Sequence, residues 1–574
     1  MASKRTRRTT RPSEPQCVEL DGVQLTRADV VAVALAGARV VLAPRALKRV
    51  RQAAEYVAAK ARAGEVIYGV TTGFGKNADI LLPDERAAVA LQRNLIVSHA
   101  VCVGKPLAVE VVRAILVLRI NTLLKGHSGI RVSTLELLAA MLNRGVHPVV
   151  PEKGSAGASG DLAPLSHIVL VMLGLGEAMV GEERLSGAEA LRRAGLAAIE
   201  LTYKEGLALI NTTALMTGYA VLSLHRLERA LKHADIAAAL SLEAMAGRSD
   251  AFAAAVHALR PHPGQLATAA NIRKLTKGST CVDLPPECIP HRGGDWSFDT
   301  ERGTPSGGKS QSPQDAYSIR CAPQVHGAVR DTMAHAVGVV DRELSAVTDN
   351  PILFPDRDLV ISAGNFHGMP LALALAAVKN ALAALASISE RRINKLVDAA
   401  TSDGLPYFLI ANDSGTQSGL MIVQYTAAAL VNELATRSHA AAVYSVPTCA
   451  NVEDHVSMGA NDARHAYEML DDVEHVVALE LLTAAQALDV RLRSLVGKFW
   501  PAPITAPGRA QLAKNLRRKI VPGAGTAETL AQIRARVAYL SVDRELRMDI
   551  TAMTRLVRDD ELVAAVERVV GALE

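Results

Sequence analysis

Aromatic side chains make up only 3% of the 574 residues, and two of them are tryptophan. That scarcity argues against an all-β sandwich, whose strands favour aromatic and β-branched residues. It argues equally against a stacking platform for single-stranded nucleic acid. Cysteine is sparse as well. Cys17, Cys102, Cys281, Cys288, Cys321 and Cys449 lie scattered and none forms a CxxC pair. Neither a metal site of the zinc type nor a disulfide framework is indicated, and a reducing cytoplasm fits best. Long apolar runs are broken up. The stretch 162–180 contains Ser166, His167 and Glu177, and the stretch 371–388 contains Lys379 and Asn380. A membrane span needs roughly twenty uninterrupted apolar residues, so a protein free of the membrane is expected.

What the chain does have is alanine, leucine and valine. Hydrophobic residues reach 49%, and with so few aromatics these three must carry the packing. Alanine and leucine lose little on entering a helix, so an all-α fold is expected: a long central helical bundle with active-site loops at one end. Stretches with helical spacing cover 27–62, 85–121, 132–144, 162–179, 208–246, 325–347, 370–400, 419–438 and 460–496. Several are apolar nearly all round, which places them inside a bundle and within an oligomer. The formal charge of +5 is concentrated at Lys4, Arg5, Arg7, Arg8 and Arg11, and the remainder is near neutral. Residues 1–16 therefore read as a disordered basic leader, with nucleic-acid contact or targeting as the other readings. No apolar stretch follows it at signal-peptide distance. The main helical domain is expected over 17–500, with a loop-rich insertion at about 277–314. Residues 501–574 are expected to form a C-terminal helical region of the same fold.

Inside that insertion, Gly303-Thr-Pro-Ser-Gly-Gly308-Lys309-Ser310 satisfies the phosphate-loop pattern. The pattern works only between a buried strand and a helix N-terminus facing the phosphates. Here Asp295-Trp-Ser-Phe-Asp-Thr-Glu-Arg302 precedes it and Pro313 follows. The match is fortuitous.

Three glycine-dense loops separate the helical stretches: Tyr68-Gly-Val-Thr-Thr-Gly-Phe-Gly75, Gly154-Ser-Ala-Gly-Ala158-Ser159-Gly160-Asp161 and Gly364-Asn-Phe-His-Gly368. Loops on a rigid helical frame are where function concentrates. With Leu-Ala-Pro164-Leu-Ser-His167 after it, the second loop resembles the signature of the ammonia-lyase and aminomutase family that includes histidine, phenylalanine and tyrosine ammonia-lyases. In that family Ala-Ser-Gly cyclises and loses water to give 4-methylidene-imidazol-5-one. The resemblance implies this prosthetic group at Ala158, Ser159 and Gly160, with no external cofactor. The residue types suit that chemistry. An uncrowded glycine nitrogen can attack the carbonyl two residues earlier, serine supplies the hydroxyl whose elimination leaves the methylidene, and alanine is small.

Further matches run in order over about residues 20–555. Tyr68 matches the family's catalytic base, and Asn211, Tyr317 and Arg320 match residues around the electrophile and substrate. Thr348-Asp-Asn350-Pro, Gly364-Asn365-Phe366-His367 and Glu453-Asp-His455 complete the pattern. Gln314, Asn350 and Phe354 join Ser98, His99, Arg320 and Glu453 in the substrate-binding set it implies. A tyrosine serves as base only if its neighbours lower its pKa, so such neighbours are expected around Tyr68. Arg320 offers a planar fork for a carboxylate. Asn211 and Tyr317 can donate to charge developing on the heterocycle.

Ser98-His99 and Glu453 resemble the histidine-specific enzymes, since a carboxylate near an imidazole makes a natural partner. Val452, Thr212 and Tyr444 depart from the usual glutamine, glycine and aspartate, which keeps tyrosine, phenylalanine and dihydroxyphenylalanine as rivals. L-histidine is slightly favoured, giving urocanate. The other readings are a 2,3-aminomutase, which returns ammonia to the β-carbon, and a non-catalytic helical scaffold binding nucleic acid through its basic tail. The family resemblance implies a homotetramer with sites shared between chains.

Overall fold

The computed structural model describes residues 17–284, 298–299, 304–305, 314–402, 404–410, 415–495 and 519–574. The basic leader lies outside them. So does most of the phosphate-loop pattern, of which only Thr304 and Pro305 are described, paired antiparallel with Phe298–Asp299. The fold is predominantly helical, as composition leads one to expect. Among the described residues, strands form five sheets of only two or three members each.

The chain divides into two compact units of interleaved segments. The first comprises Met1–Leu222, Val337–Leu375 and Ala440–Arg464, and the second comprises Ser223–Ala336, Ala376–His439 and His465–Glu574. Eight helices belong wholly to the first unit: α1 (Arg27–Leu35), α2 (Pro44–Arg62), α3 (Glu85–His99), α4 (Val109–Leu123), α5 (Val132–Asn143), α6 (Leu162–Met172), α7 (Gly187–Arg193) and α8 (Glu205–Ile210). Local signals set their ends. Thr26 and Asp29 form a reciprocal capping box on α1, Pro44 opens α2, and Asp84 caps α3. From Val111 to Leu123 every residue of α4 is buried, arginines 113 and 119 included.

Next come α9 (Ala214–Ala244), α10 (Ala254–Ala258), α11 (Pro263–Leu275), α12 (Tyr317–Arg320), α13 (Ala322–Glu343), α14 (Met369–Val397), α15 (Met421–Arg437) and α16 (Gly459–Leu495). Three shorter helices follow at Ala524–Arg534, Arg547–Arg558 and Glu561–Val570. Helix α14 is long and apolar enough to cross a membrane, yet 67% of its most apolar window is buried inside the protein. The second unit buries a network of charges: Asp235 takes hydrogen bonds from His326 Nδ1 at 2.7 Å and from the Arg330 guanidinium at 2.6 Å, and Glu480 pairs with fully buried Arg392.

Four predicted helical stretches prove to be interrupted: 208–246 breaks between Ile210 and Ala214, and three others break at strands. Residues 27–62 are broken by Arg39–Leu42, which pairs parallel with Cys17–Leu20. Residues 85–121 are broken by Val103–Pro106, paired with Pro151–Lys153. The stretch 162–179 stops at Met172, because Glu177–Val180 joins a three-stranded sheet. Strand pairing outweighs local helical composition at the three strands.

Candidate active site

The tripeptide Ala158-Ser159-Gly160 sits just ahead of α6, where Asp161 occupies the N-cap position. Its backbone doubles back on itself, with Gly157 and Ala158 both bridging to Gly160. Gly160 holds φ at 73°, and a Cβ placed there would lie 2.3 Å from the Thr212 carbonyl oxygen, so only glycine fits. The same carbonyl accepts the Asp161 amide at 2.7 Å. The buried Asp161 carboxylate in turn accepts the amides of Leu215 and Met216, at 3.0 and 3.1 Å, from the first turn of α9. Burial pushes its carboxyl up to about 7, against the hydrogen bonds from Met216, Ser155 and Leu215. The loop is thus tied to the segment that carries Asn211.

Asn211 follows directly on α8. Its Nδ2 donates to the Ser159 carbonyl oxygen at 2.8 Å, while its buried Oδ1 has no partner among the described residues. On the side-chain side, Ser159 Oγ donates to Glu453 Oε1 at 2.9 Å, and Thr448 Oγ1 donates to Glu453 Oε2 at 2.8 Å. Glu453 is held at both oxygens. The turn that presents it is a tight one: Thr448 and Glu453 bridge each other, and Cys449, Ala450 and Asn451 all adopt positive φ.

Tyr68 is half-buried, its hydroxyl oxygen accepting the Gly75 amide at 3.1 Å and its ring meeting Phe74 edge-on. Burial raises its pKa above the usual phenol value. The Gly75 amide works the other way, and the charges of Glu453 and Cys449 add to the rise. The first unit therefore does not supply the pKa-lowering surroundings expected for a tyrosine base; desolvation outweighs the single amide. Ser98 and His99 end α3, with Ser98 Oγ 3.0 Å from His99 Nδ1. Burial lowers the His99 pKa, while the Leu95 carbonyl and the Glu453 charge oppose the fall. Glu453 is thus the common neighbour of Ser159, Tyr68 and His99.

Two other predicted residues of the first unit have contacts of their own. Asn350 Oδ1 accepts the Ala363 amide at 2.8 Å, and the Phe354 ring lies 5.4 Å from that of His127. Gln314, Tyr317 and Arg320 belong to the second unit. There Gln314 and Tyr317 are exposed, the Arg320 guanidinium stacks 4.5 Å over the Tyr317 ring, and its Nε donates to the Asp315 carbonyl. Sequence reasoning assigned no role to Thr448, Cys449 or Asp161. Asp161 stood inside the quoted signature and was open to notice. Thr448 and Cys449 carry no pattern of their own, and only folding brings them to Glu453 and Gly75.

The family described as aromatic amino acid lyase matches residues 25–518. A histidine ammonia-lyase from Symbiobacterium thermophilum is 50% identical over 559 residues, covering 97% of this chain and 100% of that protein. Among solved structures, a tyrosine aminomutase from Streptomyces globisporus superposes with TM-score 0.84 at 36% identity, covering 97% of this chain and 99% of that one. A histidine ammonia-lyase from Trypanosoma cruzi does so with TM-score 0.80 at 34% identity, with 96% of each chain covered.

Proposed function

This chain belongs to the aromatic amino acid lyase family, and from that premise we propose that it eliminates ammonia from L-histidine to give urocanate. The observation that carries this reading is Glu453, whose carboxylate reaches Ser159 at 2.9 Å. The high similarity to histidine ammonia-lyases supports it.

The doubled-back backbone, the bare Gly160 and the Asn211 amide aimed at the Ser159 carbonyl fit a 4-methylidene-imidazol-5-one closed from residues 158–160. Once formed, that group supplies an electrophile that makes the substrate amine a leaving group. The protein's own residues do the rest. Asn211 Nδ2 steadies negative charge on the carbonyl oxygen of residue 159. Loss of the Ser159 hydroxyl leaves Glu453 Oε1 free to accept an imidazole N–H, with Thr448 keeping the carboxylate in place. Ser98 and His99 flank the ring-binding side, with Asn350 and Phe354 as further substrate contacts.

Tyr68, at the position of the family's base, takes the β-proton in its phenolate form as the C–N bond breaks, a form that its own unit disfavours. Its raised pKa means that turnover increases toward alkaline pH. Arg320 grips the substrate carboxylate, aided by Gln314 and Tyr317. These three act within a homotetramer whose sites are shared between chains, as the family resemblance implies. The described cysteines are all free thiols, consistent with work in a reducing compartment.

The test is an absorbance assay of purified protein with histidine, tyrosine, phenylalanine and dihydroxyphenylalanine separately, alongside an intact-mass spectrum. Urocanate from histidine and a mass short by two water molecules are expected, and both vanish in Ser159→Ala. A β-amino acid product selects the aminomutase instead. An undiminished mass, or full turnover by Ser159→Ala, refutes the proposal.

A further inference from the structure

Asn211 is aimed by a helix too short to hold itself. α8 has six residues, all buried, and an isolated helix of that length is unstable in water. Its position must come from tertiary ties. At its start, Lys204 adopts φ 62° and is fully buried, with Nζ 2.8 Å from Asp349 Oδ2; both side chains are 0% exposed. Asp349 Oδ1 accepts the Asn350 amide at 2.7 Å. Just past its end, Thr212 Oγ1 lies 3.1 Å from Thr348 Oγ1. Segments 204–212 and 348–350 are thus fastened at two points, and the tripeptide hangs from the first through Asn211 and the Thr212 carbonyl.

From this we infer that the buried Lys204–Asp349 pair is a positioning device, fixing α8 so that Asn211 meets the carbonyl oxygen of residue 159. The inference rests on the functional reading above. Neither Lys204 nor Asp349 is a catalytic residue, since neither touches the reacting atoms: Lys204 acts through Asn211, and Asp349 through Asn211 and the Asn350 backbone. A buried ion pair contributes little net stability over apolar replacements of similar volume, because desolving two charges offsets their attraction. Conformational specificity is the remaining use of this one, with the tie closing a distance of 145 positions along the chain.

Two double variants separate positioning from stability. Lys204→Met with Asp349→Asn removes both charges and the tie while keeping an acceptor for the Asn350 amide. Lys204→Gln with Asp349→Asn removes the charges but keeps a neutral hydrogen bond. Both deprive the buried Arg119 of the Asp349 charge and are expected to melt below wild type to the same extent. The first also loses kcat by ~10–100-fold relative to the second with little change in KM, since small misplacements are felt mainly in the transition state. Fewer of its chains lack two water molecules by intact mass. The second regains most of both. Should neither fold, Thr348→Val removes the other tie without touching a charge, and a kcat loss of the same kind at an unchanged melting temperature is expected. Wild-type turnover and mass deficit in the Met/Asn variant overturn the inference, as do equal losses in both double variants that track melting temperature, or a wild-type Thr348→Val. A wild-type protein with no mass deficit refutes the functional reading and this inference together, whereas a deficit kept in the Met/Asn variant refutes this inference alone.

Discussion

Glu453→Gln is the substitution on which the substrate assignment turns. In the structure one carboxylate oxygen is taken by Thr448 and the other by Ser159 Oγ at 2.9 Å. On the proposed reading, the second receives an imidazole N–H of the substrate. A hydrogen bond to a charged acceptor contributes about 1.5–3 kcal/mol, more than a neutral one. Replacing the carboxylate by an amide keeps the shape and a neutral acceptor and removes only the surplus of about 1–1.5 kcal/mol, so kcat/KM for L-histidine is expected to fall ~5–13-fold. A phenyl ring makes no such bond, so the residual rate on phenylalanine should hold or rise. A second consequence follows from the same charge. Glu453 raises the Tyr68 pKa, so neutralising it moves Tyr68 down, and the alkaline rise of the rate begins at lower pH in the variant. Initial rates of acrylate formation across pH, on histidine and phenylalanine, measure both effects. Equal losses on the two substrates would falsify the assignment of Glu453 to the imidazole.

Three further outcomes are expected. In Gly75→Ala, the new Cβ lies 2.3 Å from Cys449 Sγ at φ 53°, so the amide that bonds Tyr68 is displaced and kcat falls. Cys449→Ala in that background restores part of it, the strain of alanine at positive φ, about 1–2 kcal/mol, remaining; no recovery of kcat in the double variant refutes the contact. Asp161, raised to about 7 from 3.8, favours folding only while protonated: its contribution is complete below about pH 4 and lost as pH climbs through about 7. Asp161→Asn should therefore gain in melting temperature over wild type between pH 5 and 8, and a constant difference across that range sinks the idea. Finally, Asp235→Asn strands the nearly buried Arg330 and should cost about 3–5 kcal/mol in denaturant unfolding, whereas a loss under 1 kcal/mol shows that the Asp235–Arg330 pair is dispensable.

Much of the chemistry was legible in one dimension because it is written locally. Ala158-Ser159-Gly160 is contiguous, since a ring closed from backbone must be, and Asp161 with Pro164 announces the helix that follows. The helical class follows from the abundance of alanine and leucine, a property each residue carries alone. What tertiary structure decided is whatever depends on a neighbour distant in sequence. Ser159 and Glu453 stand 294 positions apart, and nothing local says that Thr448 orients the carboxylate between them. Short strands at Arg39–Leu42, Val103–Pro106 and Glu177–Val180 exist only because partners arrive to pair with them. The Tyr68 pKa moves opposite to expectation for the same reason: a pKa responds to burial and nearby charge in space, and neither is a property of the residue itself.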